Sequence, residues 1–323
     1  MIQSNLENDP TNSHTQSVAI IGSGLIGLGW AIVFSRAGWQ VKLYDLKAEA
    51  LAVARTVVNN QLQTLSALDL CGDPEETAAR ISYEEDLSAA LADVDYVQEC
   101  GPEILDIKRE LFSELDRLVP EQAIIASSTS GFMASQFTDH LPGRHRTLVA
   151  HPVNPPHLIA LVEVSPAEWT ANEITTAVSK IMTDIGQTPI VVQKEIPGFI
   201  LNRLQGALLN EALRLAQQGY ATPDDIDKTV RDGLGLRWSF MGPFETIDLN
   251  APSGLSDYAK RYGGMYTEMA ASQSQTPDWS PASVKDIDSA RRQELSLNDI
   301  AERQAWRDER LAALVAHKYK QKR

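Results

Sequence analysis

The chain has 323 residues, and 43% of them are hydrophobic, which is enough for two domains of ordinary size with buried cores. It carries 29 basic and 43 acidic residues, a net charge of −14. That charge repels nucleic-acid phosphates and anionic lipid headgroups, so neither nucleic acid nor a membrane surface is an expected partner. No apolar run reaches the roughly 18 residues that a membrane span needs.

The polar start of the chain and its few cysteines suggest where the protein works. Residues 1–16 lack the apolar stretch of a secretion signal, and we predict a disordered tail there. Cys71 and Cys100 show no CxxC or zinc-ligand spacing, so we expect a reduced, cytoplasmic compartment. The six histidines are spaced irregularly, with no two on one helix face beside an acid, and no metal site is expected.

The first segments alternate strand, helix and strand, the order that builds a parallel sheet. Residues 17–21 are a short apolar run typical of a buried strand, and residues 25–37 have the apolar periodicity of a helix. Residues 41–44 predict the second strand. A long helical excursion then occupies about residues 47–90.

Further short apolar runs predict the remaining strands, at residues 94–99, 123–126, 148–150, 158–164 and 188–192. From Phe199 onwards the apolar spacing becomes helical, and no strand-like run follows. The prediction is an α/β fold, a Rossmann-type doubly wound sheet over residues 17–195 that includes the excursion. An all-α domain for substrate binding and dimerisation follows over residues 196–323.

A glycine motif, GSGLIG, lies between the first strand and the first helix. Gly22 permits the tight turn, Gly24 lets the backbone approach a pyrophosphate at the helix N-terminus, and Gly27 lets helix and strand pack closely. Asp45 follows at the tip of the second strand, where a carboxylate binds the adenosine ribose and repels the extra phosphate of NADP. The motif therefore predicts an NAD site, although Lys47 lies close enough to soften the preference.

A histidine and a glutamate flank a proline-rich turn. His151 ends an apolar run immediately before PVNPP, and Glu163 lies inside the next apolar run, LVEV. Two strands joined by this turn would bring Glu163 back towards His151, and a buried carboxylate needs such a partner. A carboxylate on one imidazole nitrogen leaves the other free as the base that alcohol oxidation needs. From the residues alone, a core histidine with an unrelated glutamate remains an alternative.

The segments GSGLIG, VQECGPE, SSTS, AHPVNPP, LVEV and PGFILNRL closely resemble the 3-hydroxyacyl-CoA dehydrogenase family over nearly the whole chain. The segments GLG-R, GP-ET and RQAWRDE resemble its lambda-crystallin, or L-gulonate 3-dehydrogenase, branch, although Ala305 looks inserted in the last. The resemblance implies a homodimer formed through the helical domain.

Residue roles follow from the resemblance, position by position. His151 matches the family's catalytic histidine and Glu163 its paired glutamate. Ser130 and Asn202 match polar residues that contact the substrate oxygen. The positions that match NAD contacts are Leu25, Ile26, Asp45, Glu103 and Lys108.

The choice of substrate depends on where positive charge lies. CoA carries several phosphate charges, yet the chain has no lysine between Lys47 and Lys108 and many acids there. Arg237, in GLGLRW, suits a carboxylate, and the gulonate branch directs an arginine at this position to the active site. We expect oxidation of L-gulonate, a free acid, to 3-dehydro-L-gulonate. A 3-hydroxyacyl-CoA, carnitine caged by Trp238, Phe240 and Phe244, and a non-enzymatic crystallin-like role are the alternatives.

Overall fold

The computed structural model describes residues 15–321. The predicted disordered tail over residues 1–16 lies outside the described residues, apart from Thr15 and Gln16. The Gln16 carbonyl accepts a hydrogen bond from the Gln40 N–H at the start of the second strand. No helix in the described part of the chain is both long and apolar enough to cross a bilayer.

The centre of the fold is one eight-stranded sheet with the strand order β3-β2-β1-β4-β5-β6-β7-β8. Strands β1 to β6 run parallel, β7 is antiparallel to β6, and β8 is parallel to β7. The strands are β1 (Ser17–Ile21), β2 (Gln40–Tyr44), β3 (Ile81–Glu84), β4 (Tyr96–Glu99), β5 (Ile124–Ser127), β6 (Thr147–Pro152), β7 (Leu161–Pro166) and β8 (Thr188–Val191).

Seven helices accompany the strands in the first part of the chain. They are α1 (Leu25–Arg36), α2 (Ala48–Ala67), α3 (Pro74–Ala79), α4 (Leu87–Leu91), α5 (Leu105–Leu118), α6 (Ser135–Thr138) and α7 (Asn172–Asp184). Strand β1 shows why they lie on both faces of the sheet. Val18 and Ile20 enter one buried cluster and Ala19 and Ile21 the other, because alternate side chains of a strand point to opposite faces. The predicted doubly wound α/β sheet is therefore confirmed.

The remainder of the described chain is helical, and the predicted all-α domain is also confirmed. The helices are α8 (Leu201–Gln217), α9 (Pro223–Lys228), α10 (Gly235–Trp238), α11 (Pro243–Asp248), α12 (Leu255–Ser272), α13 (Pro281–Glu294) and α14 (Ile300–Gln321). A π-helical segment, Thr229–Leu234, joins α9 to α10. Thr222 caps α9 by accepting a hydrogen bond from the Asp225 N–H, as its Thr-Pro-Asp-Asp start indicates.

The described chain divides into two compact units. The first unit extends to Asn202 and resumes at Arg303, and the second unit is Arg203–Glu302. The predicted domains were residues 17–195 and 196–323. The first unit instead extends to Asn202, and it also contains most of α14, from Arg303 onwards. Ala312 and Ala316, one helical turn apart, are buried in the cluster that also contains α1.

Candidate active site

The glycine loop between β1 and α1 can hold a dinucleotide pyrophosphate. Gly22 has φ +111°, and a Cβ there would lie 2.7 Å from the Cys100 carbonyl oxygen, so only glycine fits. A Cβ on Gly27 would lie 1.8 Å from the Gly22 carbonyl oxygen. Beside Gly24 there is open space, and Gly24 begins α1 without a side-chain cap. The N–H groups of the first helical turn are therefore available to an anion.

Two of the predicted cofactor contacts lie in the first turn of α1. Leu25 is 69% exposed next to the glycine loop. Ile26 is half-buried and packs against the core cluster that contains α1. Both N–H groups belong to the first turn of α1, where a pyrophosphate would bind.

Asp45 follows β2 and lies against the glycine loop. Its Oδ2 accepts hydrogen bonds from the Ser23 N–H at 2.9 Å and the Ser23 hydroxyl at 2.7 Å, and its Oδ1 accepts one from the Lys47 N–H at 3.1 Å. Partial burial raises the pKa of this carboxyl, but these hydrogen bonds outweigh burial and the net pKa is lowered. An ionised carboxylate at this place fits ribose hydroxyls and opposes a 2′-phosphate.

Lys108, a predicted NAD contact, is engaged in a buried ion pair. Its Nζ lies 2.9 Å from Oε2 of Glu99 and 3.8 Å from Oε2 of Glu103. Glu99 also accepts hydrogen bonds from the Ser127 hydroxyl at 2.5 Å and the Gly101 N–H at 2.7 Å. The sequence analysis missed Glu99, although an acid ending a buried strand signals a need for a partner.

Glu103 shapes the loop that follows β5. Its Oε1 accepts hydrogen bonds from the Thr129 hydroxyl at 2.5 Å, the Ser130 N–H at 3.0 Å and the Gly131 N–H at 2.8 Å. Three donors on one oxygen fix the loop backbone, while Ser130 itself remains exposed. The carboxylate thus fixes the backbone that carries the Ser130 side chain.

His151 and Glu163 face each other across the antiparallel pair of β6 and β7. The Nδ1 atom of His151 lies 2.8 Å from Oε2 of Glu163, and both side chains are buried. The other carboxylate oxygen, Oε1, accepts hydrogen bonds from the N–H groups of Ile200 at 2.8 Å and Leu201 at 2.9 Å. Glu163 therefore joins the histidine to the first residues of α8.

The protonation of this pair follows from its contacts. Burial raises the pKa of the Glu163 carboxyl, but the hydrogen bonds from His151, Leu201 and Ile200 outweigh burial and lower the net pKa. An ionised carboxylate only accepts hydrogen bonds, so Nδ1 of His151 carries the proton. In the neutral ring, Nε2 is then left without a proton and can act as a base.

Asn202 connects the histidine pair to the loop after β5. Its Nδ2 donates a hydrogen bond to the Ser130 carbonyl oxygen at 3.0 Å. The preceding residue, Leu201, donates to Glu163, so adjacent residues of α8 contact two parts of the site. Phe199 packs beside the imidazole, with the two ring centres 5.3 Å apart. The first unit thus brings together Ser130, His151, Glu163 and Asn202.

Arg237 belongs to the second unit and is described there by itself. It is exposed on α10, directly after the π-helical segment. No carboxylate forms an ion pair with it among residues 15–321. By contrast, nearby Arg231 pairs with Asp232 at 2.7 Å. Within the same described range, no cluster of three or more His, Cys, Asp or Glu side chains could hold a metal ion.

The chain matches one protein family over most of its length. Residues 17–196 match the family model for the NAD binding domain of 3-hydroxyacyl-CoA dehydrogenase. Residues 198–285 match the model for its C-terminal domain. The chain therefore belongs to the 3-hydroxyacyl-CoA dehydrogenase family, whose members are NAD-dependent oxidoreductases acting on CH–OH groups.

Several named proteins are similar to this chain over most of its length. Lambda-crystallin of Oryctolagus cuniculus is 38% identical over 92% of this chain and 95% of its own length. L-carnitine dehydrogenase of a Pseudomonas species is 34% identical over 95% of both chains. A solved structure of 5-formyl-3-hydroxy-2-methylpyridine 4-carboxylic acid 5-dehydrogenase, an NAD+ dependent dismutase, is similar with a TM-score of 0.80 at 28% identity. That match covers 94% of this chain and 98% of the solved one.

Proposed function

We propose that this enzyme oxidises the 3-hydroxyl of a small free hydroxy acid, with L-gulonate as substrate and 3-dehydro-L-gulonate as product. Family membership supplies the reaction class and the cofactor. The observation that carries the proposed chemistry is the hydrogen-bonded pair of His151 and Glu163, 2.8 Å apart and held by the start of α8.

In this mechanism Nε2 of His151 removes the proton of the substrate hydroxyl. Glu163 holds the ring in the required tautomer and stabilises the imidazolium that forms. The Ser130 hydroxyl and the Asn202 amide orient the substrate oxygen. The glycine loop and Asp45 would hold NAD+, which would supply the hydride acceptor for this oxidation.

The excursion that follows β2 is a poor site for the phosphates of CoA. Beyond Lys47 at its start, its only basic residues are Arg55 and Arg80. The Arg55 guanidinium stacks over the Tyr83 ring at 4.3 Å, and Arg80 donates to the Ser35 carbonyl oxygen at 3.4 Å. Two engaged arginines in an acidic segment favour a substrate without several phosphate groups.

Arg237 is the proposed partner of the substrate carboxylate. The guanidinium matches a carboxylate in bidentate geometry, and its lack of an ion pair in the described residues leaves that geometry available. The names of two of the similar enzymes also specify free carboxylic acids, carnitine and a pyridine carboxylic acid.

A substrate panel tests this function. NADH absorbance is followed with L-gulonate, 3-hydroxybutyrate, L-carnitine and 3-hydroxybutyryl-CoA, each over a concentration series. We expect the highest kcat/KM with L-gulonate. Faster turnover of 3-hydroxybutyryl-CoA than of every free acid contradicts the free-acid substrate while leaving the reaction class intact.

Carnitine oxidation is the second candidate. The aromatic residues Trp238, Phe240 and Phe244 beside Arg237 are all exposed and could surround a quaternary ammonium. L-carnitine as the best substrate in the same panel would establish this alternative. Absence of turnover with any substrate, together with tight NAD binding, would indicate the crystallin-like role.

We also propose a homodimer formed through the second unit. Only Leu213, Thr246 and Ala251 are buried between Arg203 and Glu302. Large apolar side chains are exposed there, and such patches mark interaction surfaces. Light scattering at micromolar concentration should give twice the chain mass, and a monomeric mass would contradict the dimer. The cytoplasm remains the proposed location, and both cysteines are free thiols.

A further inference from the structure

A cavity of about 460 Å³ lies between α14 and the main body of the first unit. It is lined by the end of α1, the segment between β6 and β7, the start of β8 and one face of α14. None of its lining residues is acidic. The chain as a whole is acidic, with 43 acidic and 29 basic residues, so the lining of this cavity differs in charge from the rest of the protein.

Most of the cavity wall is aliphatic. One wall, formed by the segment before β7 and its first residue, contributes Leu158, Ile159 and Leu161. The opposite wall, α14, contributes Leu311, Leu314 and Val315. Leu314 is 45% exposed, so protein atoms cover it only in part. A wall of this kind gains free energy when an alkyl chain displaces water from it.

The polar part of the cavity is basic and includes a buried atom without a partner. Arg36, His157 and Lys318 contribute the basic groups. His157 is only 6% exposed, and its Nδ1 has no hydrogen-bond partner among the described residues. Buried polar atoms nearly always have a partner, so this nitrogen indicates a missing one.

The surroundings of His157 define what that partner must be. Arg36 donates a hydrogen bond from Nη1 to the His157 carbonyl oxygen at 2.9 Å, and both residues line the cavity. Burial and the Arg36 charge lower the pKa of His157 to about 4, so the ring is neutral at pH 7. A neutral imidazole N–H next to a guanidinium is a donor pair for an anion.

We propose that this cavity is a second binding site, for an aliphatic carboxylate of medium chain length. The carboxylate binds between Arg36, His157 and Lys318, and the alkyl chain lies along the leucines of α14. The volume falls within the roughly 300–1,000 Å³ of small-molecule sites. The inference does not depend on the proposed function.

The site is separate from the candidate active site. None of its lining residues is a candidate catalytic or cofactor residue. Arg36 ends α1, whereas the glycine loop begins it, and a helix of 12 residues is about 18 Å long. A ligand here touches both α14 and the rest of the first unit, so binding should stabilise the docked position of α14.

Titration calorimetry on the full chain, with three probes, tests the site. We expect saturable binding of octanoate, and binding of acetate weaker by more than about 100-fold, because acetate lacks six methylenes of the chain. Octanol, which keeps the chain but lacks the charge, should bind at least about tenfold more weakly than octanoate. No saturable octanoate binding, or equal binding of octanoate and octanol, would overturn the proposal.

Two variants of α14 locate the binding. Lys318→Met should weaken octanoate binding about tenfold, because one charged contact is lost. Lys320→Met is the matched control, since Lys320 is exposed on the same helix but does not line the cavity, and it should leave binding unchanged.

Leu314→Glu should abolish octanoate binding by placing an acid in the cavity, whereas Ala313→Glu, on a neighbouring exposed position outside the lining, should not. Circular dichroism verifies that each variant is folded. If Lys318→Met and Leu314→Glu both bind octanoate like the unsubstituted protein, octanoate binds elsewhere and the proposal is wrong. If Leu314→Glu instead converts a dimer to a monomer, and the unsubstituted protein binds no octanoate, the cavity face is a subunit contact and the proposal is also wrong.

Discussion

The two units of this chain differ sharply in how much they bury. The first unit contains the whole sheet and nearly all of the buried core, including the fully buried rings of Trp30, Phe34 and Tyr96. The second unit has three buried residues between Arg203 and Glu302 and exposes most of its aromatic side chains, namely Tyr220, Trp238, Phe240, Phe244, Tyr262, Tyr266 and Trp279. The first unit thus contains an extensive core of its own, and we expect the exposed apolar side chains of the second unit to be covered by a second copy of the chain, as proposed above.

The two units also differ in their share of the proposed chemistry. The first contains the glycine loop, Asp45 and the hydrogen-bonded pair of His151 and Glu163, all held by short contacts. The second contributes Arg237 alone. We therefore expect substitutions in the first unit to change turnover with every substrate, and substitutions at Arg237 to change the choice of substrate.

The largest expected effect is the loss of the base. His151→Ala should reduce kcat by about 100- to 10,000-fold, and Glu163→Gln by a comparable factor, because proton removal loses its acceptor or its orientation. Steady-state kinetics measure kcat, and the affinity for NAD should change little. His145→Ala, at an exposed histidine, is the control. Near-normal turnover in His151→Ala would end the assignment of this residue as the base.

Loss of Arg237 should have a smaller and more selective effect. An arginine–carboxylate contact contributes about 1.5–3 kcal/mol, so Arg237→Met should lower kcat/KM for L-gulonate by about 10- to 150-fold. A neutral ester or lactone of the acid should lose far less, because it has no charge to leave unpaired.

The control for this effect is Arg231→Met, which removes an exposed arginine already paired with Asp232. Equal losses on acid and ester would assign Arg237 a structural role. An unchanged kcat/KM with both the acid and the ester would show that Arg237, the proposed contribution of the second unit, takes no part in substrate recognition.

The preference for NAD over NADP tests a single carboxylate of the first unit. The kcat/KM with NAD should exceed that with NADP by well over about tenfold, because we expect the Asp45 carboxylate, whose pKa is lowered, to bind the ribose and repel a 2′-phosphate. Asp45→Ser should narrow the ratio, whereas Asp86→Asn, which alters the cap of α4, should leave it unchanged. Equal use of both cofactors by the unsubstituted enzyme would show that Lys47 overrides Asp45.

Local sequence patterns predicted the parts of the fold that depend on neighbours in the chain. The glycine motif was predicted to join a strand to a helix, and in the structure it joins β1 to α1. The turn after His151 is short and rich in proline, so the geometry of an antiparallel pair predicts that Glu163 returns to its neighbour. The proposed catalytic roles of these residues rest on this pairing together with the family resemblance.

The features that the sequence did not reveal depend on distant parts of the chain. Strand β3, Ile81–Glu84, alternates apolar and polar residues, but it is only 4 residues long and lies at the sheet edge within a segment that was predicted to be helical. The ion pair between Glu99 and Lys108 forms only when α5 packs back on β4. The packing of α14 on the first unit is a tertiary contact between distant parts of the chain. The apolar face of an amphipathic helix predicts that the helix packs on a core, but not which core.

The smallest expected effect is a change in the free energy of unfolding with pH. It tests whether His157 is buried in the first unit beside α14. Burial, with the help of the Arg36 charge, lowers the pKa of His157 from 6.5 to about 4. Between these values the unfolded chain binds a proton that the folded chain excludes, so the free energy of unfolding should fall as pH drops from 6.5 to 4. A shift of this size corresponds to a loss of about 3 kcal/mol. Urea unfolding in this pH range should show a shallower decline in His157→Asn than in the unsubstituted protein, because asparagine does not titrate. Replacement of His317, which is exposed on α14, should leave the slope unchanged. Parallel slopes for His157→Asn and the unsubstituted protein would mean that water reaches His157 and that the first unit opens around α14.

Saturating octanoate should itself change the slope if the carboxylate binds beside this ring, because a bound anion favours the imidazolium and raises the pKa of His157. One titration would therefore report both on the packing of α14 and on the occupant of the cavity beneath it.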